Sequence, residues 1–126
     1  MFFDTNIIIN ILSQDPDIKL LEIVDKYVSL KKAFISDIVL VECLSWNMLD
    51  KEKAEIVKVK ISKLFKIKRV TKTILYKAAE LRRFRPSLKL PDAIIAATAI
   101  ESNLELLTLD KNDFRDIDDL KLAFLR

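Results

Sequence analysis

The sequence predicts an α/β fold built on a mainly parallel sheet, and two observations carry that reading. Short strand-like runs at Met1–Phe3, Ala33–Ile35, Ile67–Val70 and Leu104–Leu109 recur with helix-length segments between them. That alternation is the pattern of parallel strands joined by crossover helices. One connecting segment, Ala93–Ile100, is almost entirely apolar, as a buried helix must be. At 126 residues, 51% hydrophobic and 33% charged, the chain reads as a single domain, 1–126, with enough length to bury a core.

Taken in order, Met1-Phe2-Phe3 is a short buried strand, and Asp4-Thr5-Asn6 leads into a first helix, Ile7–Ser13. Asp15-Pro16-Asp17 starts a second helix, with Ile18, Leu21, Val24 and Val28 at helical spacing. Ala33–Ile35 is the second strand, ending at Ser36, and a helix follows from about Asp37 to Asp50. Residues 52–65 fit both periodicities, but their length and their Glu/Lys-rich flanks favour a helix. After the brief strand Ile67–Val70, Thr71 or Thr73 caps a helix with Ile74, Leu75, Ala78, Ala79 and Leu81 inward, and Pro86 ends it. Lys89-Leu90-Pro91-Asp92 opens the apolar helix. Pro91 suits a first turn, and Asp92 sits where the helix dipole favours negative charge. Asn103 stops that helix, Leu104–Leu109 is a strand running into Asp110, Lys111–Phe114 is a turn or short helix, and Leu120–Phe124 is a closing strand.

What the chain lacks narrows its chemistry. It has no His, which excludes His-based acid–base or nucleophilic catalysis and Cys/His zinc sites. It has no Gly, hence no P-loop and no dinucleotide fingerprint. One Cys excludes an internal disulfide, and MFFD puts an acid where a signal peptide needs basic residues, so a reducing cytoplasm is expected. Cys43 reads as a small buried hydrophobe. No apolar stretch is long enough for a bilayer. The net charge is +3, with Lys51–Lys72 holding nine basic residues against Glu52 and Glu55. Arg82, Arg83, Arg85 and Lys89 form a second basic cluster. Such patches suit a polyanion such as RNA, while the first run reads equally as a solvated helix face.

Carboxylates are what remain. In a parallel sheet, working residues lie beyond the carboxyl ends of the strands. Asp4 follows the first strand and Asp110 the fourth; Glu42 lies in the apolar run VLVECL, and Asp92 opens the helix before the fourth strand. Two of them have a plainer alternative: Asp4 as a helix N-cap, Glu42 on a solvent-facing stripe. Together, four converging carboxylates repel, and a hard divalent cation, Mg²⁺ or Mn²⁺, removes the conflict with oxygen-only ligation. Such an ion activates water and stabilises a phosphodiester under attack. Hydrolysis of a nucleic acid is the reaction this predicts.

The blocks MFFDTNIII, VLVECL, KLPDAIIAATAI and LLTLDKNDF, in that order, resemble a PIN-domain protein, in particular the small stand-alone ribonuclease toxins of the VapC type. The resemblance implies a three-layer α/β/α sandwich and a metal-dependent endoribonuclease that leaves a 5′-phosphate and a 3′-hydroxyl. Asp4, Glu42 and Asp92 match the family's principal acids, Asp110 matches the fourth, and Asp113 is a nearby substitute. Asp4, Asp92 and Asp110 are the implied metal ligands. Thr5 and Thr108 match hydroxyl positions that help place the metal's water or the phosphate. The resemblance further implies a homodimer held inactive by a cognate antitoxin. The complete lack of glycine departs from the family, notably at Trp46–Leu49. Two other readings compete: an RNA-binding or housekeeping processing module on the same scaffold, and a phosphoacceptor receiver domain. A receiver wants paired acids after the first strand, where this chain has Asp4-Thr5-Asn6.

Overall fold

The computed structural model describes residues 1–124. Its elements run β1 (Phe2–Phe3), α1 (Thr5–Ile11), α2 (Ile18–Ser29), β2 (Phe34–Ser36), α3 (Asp37–Leu44), α4 (Lys51–Leu64), β3 (Lys66–Lys68), α5 (Lys72–Phe84), α6 (Leu90–Glu101), β4 (Leu106–Leu107) and α7 (Lys111–Phe114). The four strands form one parallel sheet in the order β3-β2-β1-β4. Helices sandwich it in an α/β/α arrangement. Consecutive residues on the central strands are therefore buried on both faces: Phe2, Phe3, Leu106 and Leu107 are all at most 1% exposed. Phe3 meets the rings of Tyr27 and Phe65 edge-on.

The order of strands fixes where a ligand can bind. The chain builds β1, β2 and β3 outward in one direction and then places β4 on the opposite side of β1. The reversal opens a crevice beyond the carboxyl ends of β1 and β4, the switch point at which doubly wound sheets hold ligands. Register carries the geometry further. Phe2 pairs with Leu106 and Phe3 with Leu107, so the residues that follow, Asp4 and Thr108, leave the sheet side by side.

α6 is the apolar helix expected from the sequence. Ala93 through Ala99 are buried without a break, and the buried Thr98 hydroxyl donates to the Ile94 carbonyl at 2.6 Å. Pro91 lies in its first turn. Asn103 ends it with φ of 53°, and the amides of Asn103 and Leu104 return to the carbonyls of Ile100 and Ala99. That is a Schellman stop with Asn in the position usually held by glycine. Lys31, at φ 57°, ends α2 in the same way.

Several expectations are corrected. The helix from Asp37 ends at Leu44 rather than Asp50: the Ser45 hydroxyl bonds back to the Val41 carbonyl at 2.6 Å, and Asp50 caps the next helix. The expected strand Leu104–Leu109 narrows to Leu106–Leu107, and Ile67–Val70 becomes Lys66–Lys68. The closing strand Leu120–Phe124 reduces to a single bridge from Leu122 to Leu106. On α5 the buried face is Ile74, Ala78 and Leu81, while Leu75 and Ala79 are exposed. On α2 it is Leu20 and Val24, with Ile18 exposed. No helix among the described residues is long and apolar enough to cross a membrane.

Candidate metal and nucleic-acid site

Asp4 is the first residue beyond β1, and its backbone N–H is held by the Leu107 carbonyl of β4 at 3.0 Å. This keeps the side chain 5% exposed at the switch point. One carboxylate oxygen accepts from the Thr5 amide at 2.8 Å, which makes Asp4 the N-cap of α1. The other accepts from the buried Thr108 hydroxyl at 2.7 Å. The cap thus engages one oxygen, and the other is held by Thr108.

Thr108 is the hub. Besides donating to Asp4, its oxygen accepts from the Asp110 amide at 3.0 Å and from the Asn6 side chain at 3.3 Å. Asn6 also accepts from the Leu109 amide at 3.2 Å. Asn6 was not singled out by the sequence reading. Its only signal was a polar, poorly helix-forming residue at the head of an isoleucine run.

Glu42 sits on the second turn of α3, partly buried. Its Oε1 accepts from the Thr5 hydroxyl at 2.6 Å. The solvent-facing residue of this turn is the neighbouring Val41. Asp37, the acid directly after β2, is used otherwise: it accepts from the Val70 amide at 3.0 Å and so ties the β3 exit to α3.

The acids share one electrostatic field. Burial pushes the Asp4 carboxyl above its ordinary value; the hydrogen bonds from Thr108 and Thr5 oppose the rise, and Glu42 and Asp110 add to it. Asp92, partly exposed in the first turn of α6, is pushed up to about 6, first by burial and then by Asp4, Asp113 and Glu42, with Lys89 opposing. Asp110, which caps α7 without a side-chain bond, therefore acts on Asp4, whereas Asp113 acts on Asp92. Both flank the same pair. Among the described residues no three of these groups are gathered tightly enough to enclose an ion, since Glu42 is turned to Thr5 and Asp4 to Thr108. The donor set is nevertheless all carboxylate and hydroxyl oxygen, with charge in excess, which fits a hard divalent cation and no soft one.

The basic cluster divides. Arg83 is exposed. Arg82 donates to the Leu88 carbonyl at 3.1 Å, and Arg85 donates to the carbonyls of Arg115 and Asn112 at 2.8 and 3.1 Å. Lys89 is the N-cap position of α6. In the Lys51–Lys72 run, α4 exposes every one of its lysines, and among the described residues only Lys58 there forms an ion pair, with Glu55. Cys43 is buried, its thiol pushed up to about 12 by burial and then by Glu42 and Asp4.

The family model for the PIN domain matches residues 1–120. No curated protein sequence matches the chain. Among solved structures, a toxin–antitoxin complex from Klebsiella pneumoniae is similar, at 28% identity and a TM-score of 0.80, over 99% of this chain and 98% of that one. VapBC2 from Rickettsia felis, bound to a DNA fragment from its promoter, superposes with a TM-score of 0.83 at 23% identity over 97% of this chain and 96% of that one. FitAcB from Neisseria gonorrhoeae gives 0.81 at 22% identity, also over 97% and 96%. These last two speak to the fold alone.

Proposed function

The chain belongs to the PIN domain family, and from that premise we propose that it is a metal-dependent endoribonuclease of the VapC type, the toxin of a toxin–antitoxin pair. The observation that carries this reading is the switch-point site itself. Asp4 is fixed by Thr108 on one side of the β1–β4 crevice, Glu42 is fixed by Thr5, and Asp92, Asp110 and Asp113 bear on the same space.

Asp4, Asp92 and Asp110 would hold Mg²⁺ or Mn²⁺, with Asp113 beside them, and the ion would supply charge stabilisation to a phosphodiester under attack. Every other role belongs to the chain. Glu42, oriented by the Thr5 hydroxyl, would take the proton from the attacking water. Thr108 keeps one Asp4 oxygen engaged and leaves the carboxylate a single orientation. The exposed lysines of α4, with Arg83, would draw in the RNA backbone. The same surface favours a second reading, an RNA-binding module that does not cut.

The partners follow from surface chemistry and from the solved relative. The Klebsiella pneumoniae structure is a toxin–antitoxin complex, which supports a cognate antitoxin here. Trp46, Met48 and Ile56 are exposed and line a groove of about 540 Å³ that such a partner would cover. Leu75, Phe84 and Leu90 are exposed on α5 and α6 and suit a homodimer contact. A cytoplasmic, single-domain protein spanning 1–126 completes the proposal.

The test is cleavage of a structured RNA by the purified protein with Mg²⁺ or Mn²⁺, with EDTA and Asp92→Asn run beside it. Cutting that disappears in both controls is the expected result. RNA bound but uncut with every divalent cation gives the binding-module reading its case.

A further inference from the structure

α7 carries or begins with two of the site's acids, yet it has little of its own to hold it. It is four residues long, and Asp110 provides no side-chain cap at its start. A single turn of helix does not sustain itself in water. One restraint is the buried ring of Phe114. The other is Arg85. Its Nη1 donates to the Arg115 carbonyl at 2.8 Å and its Nη2 to the Asn112 carbonyl at 3.1 Å. Carbonyls at a helix C-terminus have no partner within the helix, and a guanidinium fork is the side chain that engages two of them at once.

The root of Arg85 is fixed as firmly as its tip. Its amide is held by the Leu81 carbonyl at 2.9 Å, and its own carbonyl accepts from the Leu88 amide at 2.9 Å. The Arg82 Nε closes the same turn on the Leu88 carbonyl at 3.1 Å. That turn delivers Lys89 and the first turn of α6, where Asp92 lies. Arg85 therefore joins the launching point of one acid to the short helix that bears another.

We propose that Arg85 is a positioning residue: through the main chain of α7 it fixes the placement of Asp113 relative to Asp92, and so sets the affinity of the acidic site for a divalent cation. This rests on the metal-dependent reading of the site given above. Arg85 acts by geometry, since the cation that bears on the Asp92 carboxyl is Lys89. A lysine at position 85 keeps the charge but cannot grip both carbonyls.

The experiment compares wild-type protein with Arg85→Lys, Arg85→Ala and the control Lys19→Ala, an exposed residue of α2. Mn²⁺ binding is read by calorimetry, amide hydrogen exchange at Asp113–Arg115 by mass spectrometry or NMR, RNA affinity without divalent cation, and melting temperature. Both position-85 variants should bind Mn²⁺ roughly 10-fold more weakly and exchange the α7 amides faster, with melting temperature nearly unchanged and Lys19→Ala like wild type; that magnitude is the low end of the range for losing an outer-shell partner of a metal ligand. Arg85→Lys matching wild type in both binding and exchange overturns the proposal. So does a loss of RNA affinity with Mn²⁺ binding and exchange unchanged, which makes Arg85 an RNA contact. A wild-type protein that binds no Mn²⁺ overturns the nuclease reading instead, and the exchange measurement then decides the clamp by itself.

Discussion

Replacing Asp92 by Asn should make the protein more stable and less active at once. The Asp92 carboxyl, ordinarily near 3.8, titrates at about 6 in the folded chain. The folded state therefore binds this proton more tightly than the unfolded state, and the ionised group opposes folding at neutral pH. That gap corresponds to about 3 kcal/mol at full effect. Because the side chain is partly exposed, solvent screening brings the expected penalty to roughly 1–2 kcal/mol. The sign follows from linkage. The penalty is fully present above about 6, shrinks as pH falls through that value, and is gone below the unfolded pKa. Asp92→Asn should thus melt several degrees higher than wild type at pH 7.5 without metal, and the difference should close toward pH 4. On the proposed metal reading, saturating Mn²⁺ should reverse the order, because ligand binding stabilises by about 2.7 kcal/mol at a hundredfold excess over Kd and the variant would have lost a ligand. Thermal melts at two pH values, with and without Mn²⁺, read all of this. An Asn variant less stable than wild type at pH 7.5, or a difference independent of pH, would refute the electrostatic account of the site.

Three further outcomes follow from single contacts. Thr108→Val removes the hydroxyl that serves Asp4, Asp110 and Asn6 and should lower stability by about 2 kcal/mol, seen as an earlier urea midpoint with an unchanged slope. Lys31→Gly relieves a left-handed residue at φ 57° and should raise stability by about 1 kcal/mol, more than Asn103→Gly, since Asn tolerates that region better. The Cys43 thiol, buried and pushed up to about 12, should resist an aromatic disulfide reagent at pH 8 until the chain is unfolded in guanidinium; rapid labelling of the native protein would contradict its burial.

Whatever depended on local chemistry was legible in the sequence. The α6 block announced itself by Pro91, Asp92 and an unbroken apolar body, and its stop by Asn103. β1 and β4, two residues each, were found because their residues are apolar on both faces, whereas the exposed β3 was misplaced by a residue or two. What failed depended on contacts that spacing does not encode. Trp46 and Met48 extended the apparent helix past Leu44, although both face solvent. Leu75 and Ala79 are as apolar as their neighbours, and only the packing of α5 on α6 decides which stripe is inside. The bridge at Leu122 depends on an edge of β4 that no local pattern marks.

The acids illustrate the same division more sharply. Asp4 follows β1, Asp92 lies in the first turn of α6 and Asp110 heads α7, whereas Glu42 stands inside α3 and was marked only by its apolar neighbours; for Asp4 the structure shows the cap on one oxygen and Thr108 on the other. The contacts that hold them were not readable, although Thr5 was named as a hydroxyl position and Arg85 as part of a basic cluster. Asn6, Thr5 and Arg85 act across separations of tens to a hundred residues, on partners that are mostly main-chain atoms or other site residues. A main-chain carbonyl has no sequence signature, so a residue that serves one looks like any other polar residue. Arg82, Arg83 and Arg85 form one basic cluster in sequence, yet in the fold Arg82 closes a turn, Arg83 faces solvent and Arg85 holds α7. Charge patterning thus marks only that basic residues cluster, while the fate of each arginine is fixed by which carbonyls the fold leaves unpaired within its reach.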